Sequence, residues 1–383
     1  MKSYKLGDII KVLDYKRIPL SSKERESRKG IYPYYGAQGI IDYIDDFIFD
    51  GDYLLIAEDG ENLKSKKMNI AQIAHGKYWV NNHAHIVESN GKCDLRYICY
   101  LLNNTDISGY ITGSAQPKLN QANLLSIELT LPDLSEQIRI ADILSTFDDK
   151  IELNNRINHN LEEQAQALFK SWFVDFEPFK EENFEDTEIG RIPKGWNVML
   201  FKSFITASTE KVVVGDLPEY SVTNNGIIPR DQKFNKKLSQ STSKNKVLRH
   251  DNLVFGMSRD ILNWGIMEDE IGSVSSAYNV YTINQDLIMP KYLRLYMMAK
   301  LPYFNDLIGT AAREGQSLDK GALFQKAVYV PPSDICHEFF NIYDRLIEMQ
   351  QTAILESKQL AYYRDYILPL LLDGVLNVES VNL

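Results

Sequence analysis

The sequence predicts an α/β (α+β) protein: two similar mixed α/β domains joined by two long antiparallel coiled-coil helices, with a pseudo-two-fold internal repeat. Three features lead there. Two long stretches carry a helical heptad, a constant offset relates them, and the same succession of shorter elements precedes each.

The first stretch, Leu134 to Phe173, follows Pro132 and contains neither Gly nor Pro. Ile151, Leu161, Ala165, Leu168 and Trp172 recur on one stripe with Asn154 and Asn158, alternating three and four apart. That spacing is a heptad seam. Asp133 or Ser135 supplies the N-cap. At about 1.5 Å per residue the rod is ~60 Å long, and its single apolar stripe requires a partner helix. A second stretch starts at Pro331, with its seam at Leu346, Met349, Ala353, Glu356, Leu360, Tyr363, Ile367 and Leu370. An offset of 199 superposes Pro132 on Pro331, Ile143 on Ile342, Leu161 on Leu360 and Leu168 on Ile367. Two long helices of one period half a chain apart indicate an internal repeat.

The predicted division is 1–134, a first mixed domain; 135–175, a central helix; 176–333, a linker and second domain; 334–375, a C-terminal helix; and 376–383, a tail. In the first domain, Ile31–Gly39 reads as a Gly- and aromatic-rich turn, and Tyr53–Ile56 as a buried strand bounded by Asp-Gly at both ends. A polar loop with three lysines, a strand around Ala71–Ala74, a hairpin-like segment YWVNNHAHIVES and an amphipathic helix DLRYICYLLNN follow. Beyond the acidic, Pro-broken linker, residues 195–333 replay this order. HDNLVFGMSRD answers GDYLLIAEDG, and PKYLRLYMMAK answers DLRYICYLLNN. Framework segments correspond and loops do not, as expected of one scaffold presenting two different surfaces.

Net charge is −10, but it is unevenly spread. Residues 135–187 carry −8 and 334–383 carry −5, whereas 188–333 carry +4. The acid sits on the helices, where it suits protein docking, and the globular parts remain free to carry basic grooves. Three cysteines without CxxC spacing point to a reducing compartment and away from disulfides or a zinc site. No apolar run reaches the ~18 residues of a membrane span, and the N-terminus lacks a signal-peptide core, so a cytoplasmic protein is expected.

The segments GSAQPKLNQANLLSIELTLPDLSEQIRIADIL, IELNNRI…LFKSWFVDFEPF and EIGRIPKGW resemble the framework of the specificity subunit of type I restriction–modification enzymes. The resemblance covers essentially the whole chain, although CHEFFNIYDRLIEMQQ lacks the Glu-Gln pair found at Glu136-Gln137. It implies that each mixed domain is a target-recognition domain for half of a bipartite site in double-stranded DNA. It also implies that the helices dock two methyltransferase subunits, with restriction/motor subunits in the full complex. S-adenosylmethionine, ATP and Mg are then expected on those partners, with no cofactor bound by this chain.

The residues themselves exclude the partners' chemistry. There is no GxGxxG after a strand and no GxxxxGK[ST], and Pro331-Pro332 lies between Val330 and Ser333 rather than in an Asn-Pro-Pro-aromatic loop. No catalytic residue is expected. Pro132-Asp133 with Asp148-Asp149-Lys150 fits a loose nuclease string, but Asp148 and Lys150 lie about 200° apart around a helix. A metal-dependent endonuclease using that string, or a scaffold that uses its helices only for assembly, are the alternative readings. His83 and His85, with His75 upstream, have no third ligand nearby in sequence, so no metal site is expected.

Phosphates attract Lys and Arg, guanine attracts Arg, and adenine attracts Asn or Gln. The DNA-facing candidates are therefore Lys64, Lys66, Lys67, Asn81, Asn82, His83, Gln116 and Lys118 in the first domain. In the second they are Lys233, Lys236, Lys237, Lys244, Lys246, Ser258, Arg259 and Asn279.

Overall fold

A computed structural model describes residues 1–65, 67–113, 116–213, 217–230, 244–258, 260–309 and 318–378. The chain forms two compact units, Met1–Ile157 with Thr352–Leu383, and Asn158–Gln351. Each contains one mixed domain and one half of each long helix.

The long helices run Leu134–Phe173 and Ser333–Leu372, 40 residues each and displaced by the predicted offset. Asp133 caps the first: its Oδ1 accepts the Glu136 amide at 2.9 Å and the Ser135 hydroxyl at 2.7 Å. These bonds, the Ser135 hydroxyl first, lower the pKa of the Asp133 carboxyl. The second helix tolerates Pro369 in its last turn and ends at Gly374, whose φ of 68° is the left-handed conformation that terminates helices.

In the first unit, a four-stranded antiparallel sheet has the order Ile10–Val12, Ala84–Ser89, Tyr53–Ala57, Ala71–Ala74. A second sheet orders Gly39–Ile44, Lys29–Gly36, Lys77–Val80 and Phe49–Asp50, with the middle pair parallel. Ile31–Gly39 is thus mostly strand, turning at Ala37-Gln38. Lys77–Val80 and Ala84–Ser89 belong to different sheets, so YWVNNHAHIVES is a crossover rather than the expected hairpin. Strand partners are chosen by non-local pairing, which local patterning cannot register.

The helix Leu95–Asn104 is capped by Asp94 and packs its apolar face into a core of Leu54, Ile56, Val87, Tyr97, Ile98 and Leu102. Ile140 and Leu144 of the first long helix and Leu368, Leu371 and Leu372 of the second complete that core. The helices run antiparallel here: Asp148 pairs with Arg364, Lys150 meets Glu356 at 3.4 Å, and buried Asn154 donates to Glu356 Oε2 at 2.8 Å.

The second unit repeats the topology. Its four-stranded sheet runs Ile205–Ser208, Asn279–Ile283, Leu253–Phe255, Trp264–Ile266, and Pro290–Ala299 replaces Leu95–Asn104. The pair Asn197–Leu200 and Ala327–Val330 answers Lys2–Lys5 and Glu128–Leu131. The core is aromatic: Phe173 lies 4.8 Å from Phe339 and 5.2 Å from Tyr292, centroid to centroid. Phe173 is fully buried, so truncation to alanine costs about 3–5 kcal/mol.

Along the pairing stripe, Leu161, Ala165 and Ala353 are buried, and Ile151, Leu168, Trp172, Leu346, Leu360 and Ile367 are half-buried. Met349 and Tyr363, expected on that stripe, are instead 57% and 55% exposed. A helix of 3.6 residues per turn drifts from a strict heptad. Half-buried Gln350 and Arg364 turn inward in their place, Gln350 toward the Asn158 carbonyl and Arg364 onto Asp148.

Candidate nucleic-acid interface

In the first domain, three loops meet at the end of the strand Tyr53–Ala57. The Glu58 amide donates to the His83 carbonyl at 2.9 Å, the Leu119 amide to the Glu58 carbonyl at 2.8 Å, and the Gly60 amide to the Pro117 carbonyl at 3.3 Å. Asp59 and Lys118 form an antiparallel bridge. Segments 58–60, 81–83 and 117–119 are therefore laced together through main chain. Gly60, at φ 120°, lets the chain turn there, and a side chain in its place would run into Asn62 and meet the Gln38 amide of the neighbouring hairpin.

Beneath this rim lies a charged network. Arg17 bonds Glu58 at 2.8 Å and Asp14 at 3.2 Å, and Lys118 reaches Glu58 at 3.2 Å. Burial pushes the Glu58 carboxyl up, but the Arg17 hydrogen bond, the charge of His85 and Lys118 outweigh it and leave it below its usual range. His85 is buried, with Nδ1 2.6 Å from Asp14 and Nε2 2.7 Å from the Leu119 carbonyl. Asp14, Glu58 and His85 thus converge closely enough to suggest a cation site, a grouping that sequence spacing around His85 does not reveal. The acids arrive from remote sequence. The Arg17 guanidinium already bonds both carboxylates, and both imidazole nitrogens face acceptors, so the cluster is a tie between chain segments.

The candidates divide by placement. Asn82, His83, Gln116, Lys118, Lys64 and Lys67 are exposed at this rim or beside it. Lys64 Nζ donates to the Gly113 carbonyl at 3.0 Å. Asn81 is buried, and its Oδ1 accepts the His83 amide at 2.8 Å, so it shapes the turn rather than facing outward. In the second domain Lys244 is exposed. Lys246 is half-buried, donates to the Tyr278 carbonyl at 2.5 Å, and is lowered in pKa by burial and then by nearby Lys320. Ser258 is buried with Oγ accepting the Asn263 amide, and Asn279 sits half-buried within its strand. Lys66, Lys233, Lys236, Lys237 and Arg259 lie outside the described residues. Residue type alone does not single out Asp59, Glu58, Arg17 or Gln38. The acids carry the wrong charge for a DNA search, and only the Asp59-Gly60 turn signal marks their position.

The nuclease string does not assemble. Asp148 is held by Arg364 and the Tyr100 hydroxyl, whereas Lys150 faces Glu356. No helix among the described residues is long and apolar enough to cross a membrane.

Residues 1–163 match the family model for the type I restriction modification DNA specificity domain. The MjaIX specificity subunit of Methanocaldococcus jannaschii is 27% identical over 304 residues, spanning 74% of this chain and 70% of that protein. A Haemophilus influenzae protein described as a putative type I restriction enzyme specificity subunit is 27% identical over 377 residues, spanning 95% and 94% of the two chains. The crystal structure of a type I restriction–modification S subunit from M. genitalium shares the fold, with a TM-score of 0.59 at 14% identity over 97% of this chain and 95% of that one. Residues 1–163 carry the type I restriction modification DNA specificity domain, and the chain as a whole is similar over most of its length to type I specificity subunits and shares the fold of one.

Proposed function

We propose that this chain, a non-catalytic specificity subunit, reads a bipartite target in double-stranded DNA, one half-site per mixed domain, and docks two methyltransferase subunits together with restriction/motor subunits. One observation supports the bipartite reading above others. The two domains keep the same sheet order while their loops carry different side chains. A repeated scaffold with divergent loops suits two readers of unlike sequence, because base edges are distinguished by side-chain type. The acidic exposed faces of the long helices suit partner subunits rather than phosphate. S-adenosylmethionine, ATP and Mg belong, in this reading, to those partners.

Mapping methylated adenines by single-molecule sequencing in host DNA, with and without the gene, tests this. A gapped two-part motif that disappears with the gene is expected. Methylation that is unchanged without the gene would refute the proposal.

A further inference from the structure

We infer that His83 is a base-reading residue of the first domain and that Asp59 is its positioning residue; the inference rests on the DNA-reading role proposed above. Exposed side chains are ordinarily mobile, but His83 is fixed at three points. Its amide donates to Asn81 Oδ1 at 2.8 Å, its carbonyl accepts the Glu58 amide at 2.9 Å, and its Nδ1 lies 2.7 Å from Asp59 Oδ2. The side chain is nevertheless 48% exposed, and Nε2 has no hydrogen-bond partner among the described residues. Such preorganisation lowers the entropy cost of a specific contact.

The chemistry selects the kind of contact. An ionised carboxylate only accepts, so Nδ1 carries the proton, and in the neutral ring Nε2 is left as an acceptor. An acceptor beside a carboxylate is poorly suited to a phosphate oxygen. It suits an amino donor on a base edge, N6 of adenine or N4 of cytosine in the major groove.

The second domain supplies an internal comparison. Ile56 pairs with His85 as Phe255 pairs with Asn279, which aligns His83 with Ala277 and Asn81 with Ser275. The turn-shaping bond is kept, from the Ala277 amide to Ser275 Oγ at 3.3 Å. The reading pair is not: Ala277 replaces the imidazole, and Ser258 stands where Asp59 does, its Oγ accepting the Asn263 amide. Scaffold retained and exposed chemistry exchanged is the pattern expected at a position that sets sequence preference.

The test uses the full chain in complex with its methyltransferase subunit, reading the methylated motif by sequencing and DNA affinity across a salt series. His83→Ala is expected to relax one base position in one half-site, with preference there falling about tenfold, while the other half-site and the salt slope are unchanged. Asp59→Ala is expected to relax the same position. Asp59→Asn keeps an acceptor for Nδ1, should lie between wild type and Asp59→Ala in its preference at that position, and decides the matter if the alanine variant fails to fold. A salt slope reduced by about one with an intact motif would make His83 a phosphate contact and overturn the assignment. Unchanged motif and affinity would place His83 outside the interface and overturn the assignment equally. A wild-type complex that neither binds DNA nor directs methylation would refute the DNA-reading role itself, and the inference with it.

Discussion

Replacing Asn154 with alanine removes a buried polar contact that crosses between the long helices in the first unit. Asn154 is 1% exposed and donates to Glu356 Oε2 at 2.8 Å; a second bond, to the Ala353 carbonyl at 3.4 Å, is too long to count for much. Hydrogen bonds to charged groups contribute about 1.5–3 kcal/mol, and the lower end applies because the Glu356 side chain is 45% exposed and can rehydrate. The vacated volume adds roughly 0.5–1 kcal/mol, giving an expected loss of about 2 kcal/mol. In a Glu356→Gln background the loss should shrink to about 1 kcal/mol, a coupling near 1 kcal/mol in a double-mutant cycle measured by denaturant unfolding. Asn154→Leu keeps the packing without the polar group and should be at least as stable as wild type, since a buried Asn in a helix seam trades stability for register. Equal losses from Asn154→Ala in both backgrounds, with coupling below about 0.3 kcal/mol, would refute the assigned contact.

Lys236→Ala with Lys237→Ala is expected to weaken DNA binding and lower the salt slope by about one per lost phosphate contact, leaving the preferred sequence intact; a shifted motif would make these residues base readers. Because the folded Glu58 carboxyl titrates below its ordinary value of 4.5, its contribution is present above that pH and lost as pH falls through the folded pKa. The stability gap between wild type and Glu58→Gln should therefore be widest near neutrality and close on acidification, and a gap independent of pH would contradict the Arg17–Glu58–Lys118 account. Four residues inserted near Asn158 lengthen the first helix by about 6 Å, against ~3.4 Å per base pair. The gap in the methylated motif should widen by one or two base pairs, with some loss of stability from the displaced seam; an active variant that keeps the original gap would refute a ruler role for the helix.

The long helices are legible in the sequence because prolines bound them and nothing inside the first interrupts it, and the offset read from Pro132 and Pro331 recurs in the helix bounds. The inward face is less legible. Heptad counting selects Met349 and Tyr363, whereas ion pairing with Asp148 and the drift of a real helix turn Arg364 inward. Residue type leads in the first domain to His83, Asn82 and Lys118, which the structure brings to one exposed rim. It does not show that Asn81 and Ser258 point inward, because the turn and strand partners that bury them are remote in sequence. Asp59 escapes a sequence search for a different reason. It is hydrogen-bonded to the exposed His83, and a search by charge discards an acid.

The central claim is that each domain reads its own half of the target. Exchanging residues 195–333 for the same region of a relative, then mapping the methylated motif, tests it most directly. The account predicts one new half-site beside one unchanged half-site. A change in both halves, or in neither, would contradict it.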